Sequence, residues 1–120
     1  MANILLADDD AAVRDLVRRA LTSEGHSVHV TQDGGEALEH LQAHIGSIDL
    51  LVTDVDMPQL DGISLASEAL KMKPTLAIVL MSGFSDQLDR ATALNAKRLV
   101  SVSKPFTLEQ IKLKVRSLLV

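Results

Sequence analysis

Apolar positions along the chain fall into two kinds of run that alternate. Short runs rich in β-branched residues and leucine sit at Ile4-Leu5-Leu6, Val28 to Val30, Leu50-Leu51-Val52, Ile78-Val79-Leu80 and Leu99 to Val102. Three of them are continuous rather than alternating, which suits strands covered on both faces, as in a parallel sheet. Between them the apolar residues recur with helical period. Val13, Leu16, Val17, Ala20 and Leu21 stand at i, i+3, i+4, i+7 and i+8 and form one stripe. Ala37, Leu38, Leu41 and Ile45 form a second, and Leu65, Ala66, Ala69 and Leu70 a third. Leu108, Ile111, Val115, Leu118 and Leu119 form the last. The weakest stripe is Leu88, Ala91 and Leu94, in the segment from Asp86 to Leu94.

Punctuation supports this division. Thr107 is placed to cap the last helix and Gly25 to end the first. Pro74 separates the third helix from the strand that follows. The chain holds no repeat, linker or low-complexity stretch. Strands alternating with helices predict an α/β domain of five βα units, with a parallel sheet and right-handed crossovers. The economical arrangement is a doubly wound, three-layer sandwich. In such a sheet, ligands bind beyond the carboxyl ends of the strands, so the residues just after each strand are where chemistry is expected.

Composition narrows the function. A chain of 120 residues fits one domain, spanning 1–120, and its 47% apolar content argues against disorder. Phe84 and Phe106 are the only aromatics, so the core is expected to be aliphatic and stacking on single-stranded nucleic acid is disfavoured. The net charge is −4 and the lysines and arginines are scattered, which argues against any nucleic-acid surface. There is no cysteine, so disulfides and thiol chemistry are excluded. Met1-Ala2-Asn3 leads straight into a strand with no cleavable leader, and no apolar run approaches the roughly 20 residues that span a bilayer. A soluble cytoplasmic protein with no membrane partner is the expectation.

The strand ends carry a distinctive set. Strand one ends in Asp8-Asp9-Asp10, strand three in Asp54, strand four in Ser82-Gly83 and strand five in Ser103-Lys104-Pro105. Several carboxylates beside one lysine repel each other unless a counter-ion joins them. Oxygen ligands without Cys or His select a hard cation, Mg²⁺ first, with Mn²⁺ as an alternative. A carboxylate can then attack phosphorus to form an aspartyl phosphate, given in-line positioning and neutralisation of the phosphoryl oxygens. Asp54, the cation, Lys104 and the Ser82 hydroxyl supply the parts, and Ser82 would report the new group to the rest of the domain.

In this arrangement the whole chain resembles a bacterial response-regulator receiver domain, of the kind that acts in two-component phosphorelays. The matching residues are Asp8-Asp9, Val52-Thr53-Asp54, Met57-Pro58, Asp61-Gly62, Ser82 and Lys104-Pro105-Phe106. Each is weak alone, and all of them in order are specific. The resemblance implies a flavodoxin-like (βα)5 fold with sheet order 2-1-3-4-5. It implies that Asp54 is the phosphoacceptor and that Asp9 and Asp54 bind the metal directly. Asp8 would bind it directly or through water, and the main-chain carbonyl of Asp56 would add a ligand. Ser82, Gly83 and Lys104 would contact the phosphoryl group, and Pro105 would follow a cis peptide bond. The donor would be a histidine kinase or a histidine phosphotransferase. The domain would take part only in its own phosphorylation and dephosphorylation, and output would pass to a separate protein. Met81-Ser82-Gly83-Phe84 is also similar to receivers of hybrid kinases and to protease-adaptor receivers.

The chain departs from the family pattern in places. Receivers carry Tyr or Phe three residues before the lysine, and here that position is Ser101. Phe84 is a candidate to take over part of the lost packing. The usual Gly-Ala before strand five is replaced by Asn95-Ala96-Lys97-Arg98. Asp56 adds a charge near the phosphoryl group. Asp10 is read as a helix cap outside the metal site. His40 and His44 stand at i, i+4, a spacing that can bind zinc, but no further ligand is evident and the expected state is solvated surface. Lys112, Lys114 and Arg116 read as the solvated face of an amphipathic helix. Two other readings compete: a haloacid-dehalogenase-type phosphatase, suggested by Asp54-x-Asp56, and a receiver fold that only binds.

Overall fold

The computed structural model describes residues 1–83, 94 and 96–119. Strands β1 (Asn3–Ala7), β2 (Ser27–Thr31), β3 (Leu50–Asp54), β4 (Ala77–Ser82) and β5 (Leu99–Ser103) pair in parallel in the order β2-β1-β3-β4-β5. This is the flavodoxin-like order, and the five predicted strands all form. The flanking helices are α1 (Ala11–Ser23), α2 (Gly34–His44), α3 (Gly62–Met72) and α4 (Leu108–Leu119). The helix expected from Asp86 to Leu94 falls almost entirely outside the described residues, as do Phe84 and Asn95.

The continuous apolar runs are explained by the layers. On one face Ile4, Leu6, Val52 and Val79 pack with Val17 and Leu21 of α1 and Ile111 and Val115 of α4. On the other, Leu5, Leu51, Ile78 and Leu80 pack with Ala37 and Leu41 of α2 and Leu65 and Ala66 of α3. Successive strand residues point to opposite faces, so a central strand covered on both sides is apolar at every position. All five residues of β3 are buried.

Two residues of the expected stripes turn outward. Leu16 is 40% exposed and Leu108 39% exposed. A helical stripe is wider than the line of contact with a sheet, so residues at its flanks or in a first turn remain in solvent.

The helix ends follow local chemistry. Gly25 has φ +91°, and its N–H and that of His26 donate to the carbonyls of Thr22 and Leu21 at 3.0 and 3.2 Å. This is a Schellman ending, which needs a left-handed residue. At α4 the N–H of Gln110 donates to Thr107 Oγ1 at 3.1 Å while the N–H of Thr107 donates to Gln110 Oε1 at 2.8 Å. That reciprocal capping box starts the helix three residues after Lys104.

Candidate functional site

The acidic run after β1 divides into three roles. Asp8 is fully buried, and its Oδ1 accepts the N–H of Asp10 at 2.8 Å. Asp10 is the cap of α1, its Oδ1 accepting the N–H groups of Ala12 and Val13 at 2.9 and 3.3 Å. Asp9 lies between them and is exposed. Arg14, one turn into α1, donates from Nη1 to the Asp8 carbonyl at 2.9 Å and so ties the helix to the strand end.

Asp54 closes β3 with its side chain buried, and carboxylate oxygens of Asp8, Asp9 and Asp54 lie within 4.8 Å of one another. Lys104 reaches in from the end of β5, with Nζ 3.2 Å from Asp54 Oδ1 and 3.4 Å from Asp8 Oδ2. The Lys104–Pro105 peptide is cis, and the N–H of Lys104 donates to the Ser82 carbonyl at 2.8 Å. Ser82 itself is buried at the end of β4, beside Ser103 in the sheet register. Gly83 and Asp56 are both exposed on the loops that follow their strands.

One ammonium among three carboxylates leaves the site electrostatically underneutralised. Burial and the neighbouring Asp8 push the Asp54 carboxyl up to about 6, against the pull of Lys104. Burial likewise raises Asp8, against its hydrogen bond from Asp10 and the lysine charge. Burial would lower the Lys104 ammonium, but Asp8 and Asp54 together outweigh it and hold the group above its usual range. Burial raises the two carboxyls and those carboxylates raise Lys104, in a half-desolvated space with too little positive charge. A hard divalent cation held by Asp8, Asp9 and Asp54 would supply it, and this donor set fits such an ion. Lys104 faces one oxygen of Asp54 and one of Asp8.

The floor of the site depends on glycine. A Cβ on Gly62 would lie 2.0 Å from the Asp54 carbonyl oxygen, and the N–H of Gly62 donates to the Val55 carbonyl at 2.8 Å. Asp61 caps α3, its Oδ1 accepting the N–H of Ser64 at 2.8 Å. The loop from β3 to α3 is thus folded back against its own start. Sequence reasoning had the Asp61-Gly62 pair but not its purpose, which only the chain path reveals. Arg14 was missed altogether, since nothing in a helix arginine signals a main-chain acceptor six residues earlier.

The parallel sheet in this order carries an acidic cluster and a lysine at its carboxyl edge. The family model of the response regulator receiver domain matches residues 4–116, and the chain belongs to that family. It is 38% identical over 119 residues to the sensor kinase CckA of Brucella abortus, covering 98% of this chain and 12% of that one. It is 36% identical over 116 residues to the response regulator MprA of Mycolicibacterium vanbaalenii, covering 97% of this chain and 49% of that protein. The chain therefore spans half or less of these relatives. Among solved structures, the response regulator TrrA of Thermotoga maritima in complex with Mg²⁺ and BeF superposes with a TM-score of 0.85 at 30% identity, covering 98% of this chain and 99% of that one. The fold is that of the two-component receivers, a family of signalling domains. Among the described residues no helix is long and apolar enough to cross a membrane.

Proposed function

We propose that residues 1–120 act as one receiver domain that accepts a phosphoryl group on Asp54, with Mg²⁺ as the preferred cation and Mn²⁺ as a substitute. The observation that carries this reading is the gathering of Asp8, Asp9 and Asp54 within 4.8 Å, with Lys104 Nζ 3.2 Å from the acceptor. An Asp54 carboxylate oxygen forms the new P–O bond as the donor's P–N bond breaks. The electron pair leaves on the imidazole of a histidine kinase or histidine phosphotransferase, which then takes up a proton. Lys104 neutralises charge on the phosphoryl oxygens and holds Asp54 in place. Asp8, Asp9, Asp54 and the Asp56 carbonyl hold the cation, which supplies further neutralisation of the transferred group. The Mg²⁺ and BeF bound by TrrA support this choice of cation.

Ser82, at the buried end of β4, and Gly83 beside it receive the phosphoryl oxygens and alter the surface offered to a protein partner. Turnover is confined to the domain's own phosphate, in the cytoplasm. The test is incubation with Mg²⁺ and a small acyl phosphate, read by intact mass. A gain of one phosphoryl group, absent in Asp54→Asn, is expected. No gain with either Mg²⁺ or Mn²⁺ would overturn the proposal, and sustained hydrolysis of a phosphomonoester would point to a phosphatase instead.

A further inference from the structure

At the opposite end of the sheet from Asp54, near the amino ends of the strands, three imidazoles meet on the surface. His40 of α2 lies between the other two. Its ring stacks on that of His29 in β2 with centroids 3.9 Å apart and planes 10° off parallel. The ring of His44, one turn further along α2, is 4.6 Å away and tilted by 42°. The sequence placed His40 and His44 at the i, i+4 spacing that lets two histidines on one helix face share a metal, but offered no third ligand. The sheet supplies it. His29 pairs with Leu5 in register, and Leu5 packs on the α2 side of the sheet. β2 therefore turns His29 toward α2.

Several observations suit these rings to a ligand. Among the described residues, no hydrogen bond engages a ring nitrogen of the three, so their lone pairs are uncommitted. They border an open cavity of about 270 Å³ shared with Asn3, Ser27 and Ser47, with room for a metal and its water. As they stand, the ring nitrogens of the three do not all lie within 4.8 Å of one another; both His29 and His44 are exposed, and a metal held by all three at the roughly 2.0–2.1 Å that zinc requires needs them to turn out of the stack.

We propose that His29, His40 and His44 form a second metal site, selective for Zn²⁺ and the other imidazole-seeking divalent ions, which clamps the carboxyl end of α2 to the edge strand β2. Its donors are all nitrogen where those of the Asp54 site are all oxygen. The two sites therefore sort cations by ligand type: Mg²⁺ at one end of the sheet and Zn²⁺ at the other. Because bound metal favours only the folded chain, occupancy raises its stability with the logarithm of free zinc once the site fills.

The test is a Zn²⁺ titration of the intact chain in excess Mg²⁺, which occupies the acidic centre. Calorimetry, thermal unfolding and the imidazole proton resonances are the readouts. One saturating equivalent is expected, moving the ring signals of all three histidines together and raising the unfolding temperature. Asp54→Asn should keep this response. His40→Gln should abolish it, and His29→Gln and His44→Gln should each weaken zinc by more than about tenfold. Unfolding of each variant without zinc gives its own baseline, so only the zinc-dependent shift is compared. If a variant does not fold, the ring signals of the unaltered chain decide alone. No saturable equivalent, unchanged affinity in His40→Gln or His29→Gln, or loss of the response in Asp54→Asn would each overturn the site.

Discussion

Gly62 lies directly against the main chain of Asp54: a Cβ there would be 2.0 Å from the Asp54 carbonyl oxygen and 2.9 Å from the Val55 Cα. These are backbone atoms of a central buried strand and cannot step aside as a side-chain tip could. Gly62→Ala is therefore expected to destabilise the fold by about 1–3 kcal/mol, the usual range for forcing an extra carbon into a packed site. It should also slow phosphorylation, since any relief comes from moving the acceptor. Urea unfolding and the rate of acyl-phosphate labelling measure the two effects. An unchanged urea midpoint would show that the loop yields freely.

Charge at Asp54 opposes folding when no cation is present. The Asp54 carboxyl is raised from 3.8 to about 6, so the folded chain holds a proton there that the unfolded chain has released. Between those values the native state binds more protons, and stability falls as pH rises through this window. Above about pH 6 the full penalty remains, on the order of 1–3 kcal/mol. Asp54→Asn should stabilise the chelator-treated protein at pH 7–8 and lose that advantage toward pH 4. Mg²⁺ should narrow the gap at neutral pH. Unfolding temperatures of both proteins across pH, with chelator or Mg²⁺, test this. A gain from Asn that does not depend on pH would show that its cause is not the charge.

Lys104 is the side chain that moderates this repulsion. In Lys104→Met the Asp8 and Asp54 carboxyls lose the ammonium at 3.4 and 3.2 Å. Both should then titrate at still higher pH, and the variant should be less stable than wild type above pH 6 and closer to it in acid. Labelling on Asp54 should slow by about 10²-fold or more, as is usual when one preorganised charge-stabilising group is removed. Carboxyl resonances followed through a pH titration separate the electrostatic effect from the kinetic one.

Asp10 tests how sharply the acidic run is divided. It holds the N–H groups of Ala12 and Val13 in the first turn of α1 and lies outside the cluster of Asp8, Asp9 and Asp54. Asp10→Ala should cost about 1 kcal/mol of stability, the usual worth of a helix cap, while leaving Mg²⁺-dependent labelling of Asp54 in place. Loss of labelling in a folded Asp10→Ala protein would move it into the cation site.

Asp56 is exposed two residues beyond the acceptor. Its charge lies two residues along the chain from Asp54, so on the proposed function Asp56→Asn should change the lifetime of the aspartyl phosphate. Phosphate release after removal of the donor measures it. Lifetimes equal to wild type would remove Asp56 from the account of hydrolysis.

The sequence revealed most where one residue's surroundings depend on near neighbours. Buried strands announced themselves because both faces of β1, β3 and β4 are covered, and Gly25 and Thr107 cap their helices through local hydrogen bonds. The strand-end rule brought Asp8, Asp54, Ser82 and Lys104 to the same edge before any coordinates. Distance along the chain hid the rest. Leu16 and Leu108 fit the helical period but miss the contact line, which depends on how each helix sits on the sheet. His29 lies 11 residues before His40, and its side of β2 follows from pairing with β1. Ser101 is half-buried and pairs with Leu80, so it faces the same side of the sheet as Leu80. Its place on β5 is as the strand prediction has it.

The run Asp8-Asp9-Asp10 spells one letter three times, yet the fold treats the three as different words. The first is sunk against Lys104, the second faces solvent beside the acceptor, and the third starts a helix. Losing any one of them would leave two aspartates that still look acidic on paper. The chain would then have to choose between a capped helix and a complete cation site. Shortening this triplet would give up one of the three tasks.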